Sequence, residues 1–168
     1  MPELVHDPVR RQRLAFSRDG DVLLAEVWAD PGGDVPAHYH PAQEERFEVL
    51  EGHVRFVVDG KRVEGGPGTR VVAPAGAKHA FRNPGKTQAR LRVQVEPALR
   101  LQGFLEEAAA LARAGAYTRR GLPTRPAAVV ELADLMSRYE DVTVLAFPPR
   151  VVQRFLLAPL ARLRRGRA

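Results

Sequence analysis

The chain of 168 residues contains no cysteine, which excludes both a disulfide framework and a thiolate metal site. It has no apolar run of membrane-spanning length, and its first residues, "MPELVHDPVRRQRLAF", lack the apolar core of a signal peptide. The expectation is a soluble, cytoplasmic protein. Acidic residues are missing from the C-terminal end. The last is Asp141, and beyond it Arg150, Arg154, Arg162, Arg164, Arg165 and Arg167 account for the whole net charge of +6. Residues 1–141 therefore balance to zero, whereas a domain built for nucleic acid carries its positive charge on its body. The short stretch before the first strands also leaves no room for a helix-turn-helix, so nucleic acid is not an expected partner.

What is present fits one domain with an appendage, long enough to bury a core. From about Leu14 to Glu96 short alternating runs are broken by glycine and proline, as in "DVLLAEVWA", "RFEVL", "TRVVAPAG" and "ARLRVQVE". Asp59-Gly60 lies between two such runs as a two-residue hairpin signal. Strands arriving at this spacing predict a sandwich or small barrel. The composition changes near Pro97. Leu101, Phe104, Leu105, Ala108, Leu111 and Ala112 fall on one helical face. A second helix is predicted over roughly Pro126 to Tyr139 with Thr124 as N-cap. A third starts at Pro148-Pro149 and runs through "RVVQRFLLAPLARL", with Pro159 kinking or shortening it. The expected organisation is an N-terminal extension over 1–11, a β domain over 12–97 and a helical extension over 98–168.

Two spaced motifs carry the chemistry. Gly32 is followed at fixed intervals by His38, His40, Glu45 and Gly52, and Gly68 by Pro74, Gly76, His79 and Asn83. Both together, in order and on strand-like sequence, resemble the two signature motifs of the cupin superfamily over roughly residues 12–97. The resemblance implies a mainly β fold, the double-stranded β-helix or jelly-roll barrel, here followed by a layer of about three α-helices. It also implies pairing into a homodimer through edge strands.

The spacing makes physical sense by itself. His38 and His40 are two apart, so on a strand they share one face, about 6.5–7 Å from each other, with Tyr39 facing away. If Glu45 faces inward on the next strand, Phe47 and Val49 do too, and Phe81 shares the face of His79; these three are the expected pocket residues. Three imidazoles and a carboxylate meeting inside a barrel each need a polar partner. One divalent transition metal per chain satisfies all four, and the nitrogen and oxygen donors suit Fe, Mn, Ni, Cu or Zn. Four donors close a tetrahedral site but leave two positions open in an octahedral one. Glu44 competes with Glu45, and the count to Gly52 favours Glu45. Glu44 is expected to face solvent or an arginine such as Arg46. His6 and His53 match neither motif and are expected to be incidental. Trp28 is expected in core or rim packing, and either Arg92 and Gln94 or their neighbours Leu91, Val93 and Val95 face inward.

The resemblance does not imply one reaction. An intact three-His, one-Glu set looks most like the quercetin-dioxygenase-like and germin-like members. That implies a metal-dependent oxidoreductase acting on a small organic molecule, an enol or aromatic, with Glu45 as catalytic base. The alternatives are a non-catalytic small-molecule binder or sensor on the same metal, and a metal-dependent isomerase. The basic C-terminal helix packs on the barrel or a partner subunit in one reading and lies on an anionic membrane surface in the other, with packing favoured.

Overall fold

The computed structural model describes residues 4–146 together with Val151 and Gln153. In chain order the elements are β1 (Val5–Asp7), β2 (Gln12–Asp19), β3 (Val22–Ala29), β4 (Asp34–Tyr39), β5 (Glu44–Glu51), β6 (Val54–Val58), β7 (Lys61–Gly65), β8 (Arg70–Ala73), β9 (His79–Arg82), β10 (Ala89–Glu96), α1 (Leu101–Arg113), α2 (Pro126–Arg138) and β11 (Val144–Leu145). The strands form two antiparallel sheets, β1-β2-β3-β10-β5-β8 and β11-β4-β9-β6-β7. This is the jelly-roll architecture, with helices following the strands.

Strict alternation drives the larger sheet inward on one face. Leu23, Ala25, Val27 and Ala29 of β3 are buried, as are Leu91, Val93 and Val95 of β10. Arg92 and Gln94 therefore face outward. On that outer face Trp28 sits opposite Arg90, whose guanidinium lies 5.8 Å from the ring centroid; it packs outside the barrel. Phe47, Phe56 and Phe81 meet between the sheets at centroid distances of 5.3–6.3 Å. The β6–β7 hairpin turns at Asp59 (φ 45°) and Gly60 (φ 80°), both left-handed as a type I′ turn requires.

The motif glycines Gly52 and Gly68 both have positive φ, but they differ in surroundings. A Cβ on Gly52 (φ 77°) would lie 2.7 Å from the Ala89 Cα and 2.8 Å from the Gln88 carbonyl, whereas one on Gly68 (φ 87°) meets nothing. Gly52→Ala is expected to cost about 3 kcal/mol or more, combining strain with overpacking. Gly68→Ala is expected to cost about 1–2 kcal/mol of strain alone. Urea unfolding of both variants checks this, and equal losses would show that the close approach of Ala89 is immaterial.

Both segment boundaries differ from expectation. Residues 5–11 are not a separate extension: β1 pairs with β2, Val5 opposite Leu14 and Asp7 opposite Gln12. Nor is the C-terminal part purely helical, because β11 pairs with β4 at Val144↔Tyr39 and Leu145↔His38. Each edge strand offers unpaired backbone groups, and a neighbouring short segment satisfies them. α1 buries Leu101, Ala109 and Ala112, with Phe104, Leu105 and Ala108 packed on the barrel core. Arg138 of α2 donates to Glu107 of α1 at 3.1 and 2.5 Å, and the Tyr139 hydroxyl donates to the same carboxylate at 2.7 Å. Thr124 is not the N-cap. Arg125 occupies that position in extended conformation without a side-chain cap bond, and the Thr124 hydroxyl donates instead to the Gly115 carbonyl at 2.5 Å. The third expected helix lies outside the described residues except Val151 and Gln153, which have helical backbone. No helix among the described residues is long and apolar enough to cross a membrane.

Candidate metal centre

His38 stands near the end of β4 and pairs across the ladder with His79, the first residue of β9. His40 follows just beyond the strand. Glu45 enters from β5 after the turn at residues 41–43 and is buried, as are His40 and His79. The three rings lie with centroids 4.3–5.2 Å apart. One donor atom from each of His38, His40, Glu45 and His79 falls within 4.8 Å of all the others.

The backbone fixes which ring nitrogen faces the centre. Nδ1 of His38 donates to the Pro36 carbonyl at 2.9 Å, Nδ1 of His79 to Ala77 at 2.9 Å, and Nδ1 of His40 to Val142 at 2.7 Å. A carbonyl can only accept, so each Nδ1 carries a proton and each Nε2 presents a lone pair. Nε2 of His40 and of His79 lie 3.1 and 2.8 Å from Glu45 Oε2. Acceptors facing acceptors at that distance need a positive charge between them. A proton on His40 can supply that charge, since Glu45 and the Val142 carbonyl raise its pKa against the opposing effect of burial. Burial alone would push Glu45 up, but the close approach of His40 and His79 holds it well below the usual carboxylate range. His38 is driven down to about 3 by loss of hydration and by the neighbouring imidazoles. A divalent cation fits the same four donors without needing those protons, and the carbonyl tethers are the second set of contacts that orient metal-binding imidazoles.

The remaining sequence candidates sort cleanly. Glu44 pairs with Arg46 at 2.6 Å on the outside. His53 is exposed beside Glu64, and His6 is exposed on β1. Asn83, the last motif residue, does not reach the site; it is fully buried and its amide donates to the Ala29 and Thr87 carbonyls, holding a turn. Phe47 and Phe81 line the cavity described below, but Val49 does not. Val49 sits farther along β5 from Glu45, 1% exposed within the packed core, so its expected place in the pocket is corrected.

A cavity of about 810 Å³ opens from His38, His40 and Glu45. Its barrel wall is apolar, with Ala25, Val27, Val93 and Val95 beside the two phenylalanines, and its other wall comes from α1 and α2 through Phe104, Leu105, Leu132 and Met136. The C-terminal segment thus covers the barrel mouth and also supplies the Val142 carbonyl that orients His40. Sequence reasoning missed this carbonyl. The available signal was the β-branched run "DVTVL", which reads as a short strand.

Asp7 lines the same cavity, 5% exposed, and accepts the Arg10 backbone N–H at 2.9 Å. Burial raises its pKa above 3.8, outweighing that hydrogen bond and the Arg10 charge. A carboxyl with a raised folded-state pKa favours folding in acid, and that benefit is lost as pH rises through the raised value. Asp7→Asn keeps the acceptor and removes the charge. It is expected to raise the unfolding midpoint at pH 7 and to change it little near pH 4. Unchanged or lower stability at pH 7 would show that the ionised side chain is fully compensated.

A family model described as a cupin domain matches residues 26–95. By sequence, a chain named polyketide synthase CurC from Streptomyces cyaneus is 33% identical over 67 residues, covering 40% of this chain and 44% of that one. The chain therefore spans less than half the length of this curated relative. Among solved structures, an RmlC-like cupin from Shewanella frigidimarina superposes with a TM-score of 0.55 at 20% identity, over 61% of this chain and 89% of the other. A predicted oxalate decarboxylase from Thermotoga maritima superposes at 0.50 with 23% identity, over 56% and 90%. At these identities the structural likeness shows the fold.

Proposed function

From the premise that the chain belongs to the cupin superfamily through residues 26–95, we propose that it is a metal-dependent oxidoreductase of dioxygenase type acting on a small, largely apolar enol or aromatic. The observation that carries the reading is the convergence of four donors, three of which line one end of an apolar cavity closed over by helices. His38, His40, Glu45 and His79 would hold one divalent transition ion. When bound, such an ion supplies Lewis acidity and a template on which an enol oxygen and dioxygen are brought together.

The chain's own residues account for the rest. The Glu45 carboxylate, buried beside the cavity, is the base positioned to take the enol or phenol proton. Phe47, Phe81, Val93 and Val95 offer faces for a flat apolar molecule, and α1 and α2 limit the entry of water. The name of the Streptomyces cyaneus relative fits this substrate class, since chains of alternating ketones enolise.

The test is oxygen uptake by the Fe, Mn, Ni and Cu forms across flavonols, β-diketones and catechols. Uptake that requires both metal and substrate is the expected result. Tight binding of one of these molecules without uptake would instead assign the chain as a non-catalytic binder, and conversion without oxygen to a product of equal mass would assign it as an isomerase.

A further inference from the structure

The cavity has a second polar end. Glu45 pairs with Val95, Val95 with Leu23 and Leu23 with Arg18, while Gln12 lies six residues farther along β2, opposite Ala29. That offset is about 20 Å along the strands. Gln12 lines the cavity there and is 5% exposed, and its Oε1 has no hydrogen-bond partner among the described residues. A buried amide carbonyl left unpaired is costly, so it marks a place where a donor belongs.

The surrounding groups are already engaged. The Tyr117 hydroxyl donates to the Ala108 carbonyl at 3.1 Å. Arg10 donates to the Arg119 carbonyl at 3.1 Å and pairs with Asp34 at 3.7 Å, and Arg119 pairs with the same carboxylate at 3.2 Å. Asp7 accepts the Arg10 backbone N–H. Arg120 is exposed at the rim, where water screens it. What this end of the cavity leaves over is the neutral side-chain amide of Gln12, for which no hydrogen bond is found among the described residues.

We propose that Gln12 forms a second recognition subsite, receiving a neutral hydroxyl at the tail of an elongated, otherwise apolar substrate whose head sits at the His38, His40, Glu45 and His79 cluster. The placement of the head rests on the function proposed above. That of the tail rests on Gln12 alone.

The full-length protein loaded with zinc, which is redox-inert, is titrated calorimetrically with straight-chain β-diketones ending in either a methyl or a hydroxyl group, over a series of chain lengths. At one matched length the hydroxyl-ended probe is expected to bind about tenfold more tightly than its methyl twin. Gln12→Leu is expected to reverse that preference while leaving the methyl-ended probe within about twofold of its native affinity. Equal affinity at every length, or a preference that survives Gln12→Leu, would overturn the subsite while leaving the metal-centred reading intact. Failure of both probes to bind would overturn both. Thermal melts establish that the leucine variant is folded, and Gln12→Met serves in its place if it is not.

Discussion

Metal content is expected to fall from close to one ion per chain to background when His38 and His40 are both replaced by alanine. Two donors, His79 and Glu45, then remain, and two protein ligands do not retain a first-row ion through purification when four converge in the native chain. The fold should survive. β4 keeps its backbone pairing to β9 and β11, which does not involve the imidazoles. The local cost is the hydrogen bonds of His38 to the Pro36 carbonyl and of His40 to the Val142 carbonyl, about 1 kcal/mol each, together with the His40–Glu45 contact. Elemental analysis of both proteins, with circular dichroism to confirm folding, decides the matter, and equal metal in the two would remove the ligand assignment. Protons compete with the ion in a defined order. His38, held near 3, is neutral and ready throughout the neutral range. His40, whose pKa Glu45 and the Val142 carbonyl raise against the effect of burial, keeps its proton to higher pH, and loading must displace it there. Affinity is therefore expected to fall as pH drops below the raised His40 value, with proton release on loading that grows in the same direction.

The spacing of the two motifs made the centre legible because each local rule it relied on is short-ranged. His38 and His40 share a face through strand alternation, and Glu45 follows after a turn of fixed length. Phe47 and Phe81 then follow by periodicity. The same rule carried too far put Val49 in the cavity: alternation states which face a side chain takes, but not where along that face the cavity ends. The features left unread are all long-range. Nothing local announces that the Val142 carbonyl meets His40 or that β11 completes the edge beside β4, since these contacts join residues about a hundred positions apart. Gln12 was unreadable for a related reason. A glutamine opening a strand is ordinary, and only the packing of β1, α1 and the loop at residues 117–123 around it leaves its carbonyl alone. Thr124 shows the converse, a good capping residue diverted by a nearby carbonyl that it reaches more directly.

These long-range contacts make the C-terminal segment part of the site. β11 shares backbone hydrogen bonds with the strand that carries His38, and the Ala146 N–H donates to the Ala37 carbonyl at 2.9 Å. Gln153, buried at the cavity wall, donates to the Leu145 carbonyl at 2.8 Å. A shift of this segment would move the Val142 carbonyl and with it the orientation of His40. The cover over the cavity and the geometry of the donor set are thus coupled through the same few residues, a stronger connection than a lid that only shields the mouth.

Replacing Glu45 with glutamine is expected to lower kcat by about 10²–10⁴ at saturating metal, the range that a positioned base contributes. Glutamine keeps the length and one acceptor oxygen of the side chain, so the walls around Phe47 and the approach of His79 need not change. What it cannot do is accept the substrate's proton. It also removes a negative charge from the donor set, so metal affinity falls as well, and the two effects must be separated by measuring metal content on the sample used for oxygen uptake. Glu45→Asp provides the internal comparison: the base is restored but drawn back by one methylene, so activity between the native and glutamine forms is expected. Full turnover by a metal-loaded glutamine variant would show that the proton leaves by another route. Glu45 would then keep only its place among the ligands, and the acid–base role would pass to a residue elsewhere on the cavity wall.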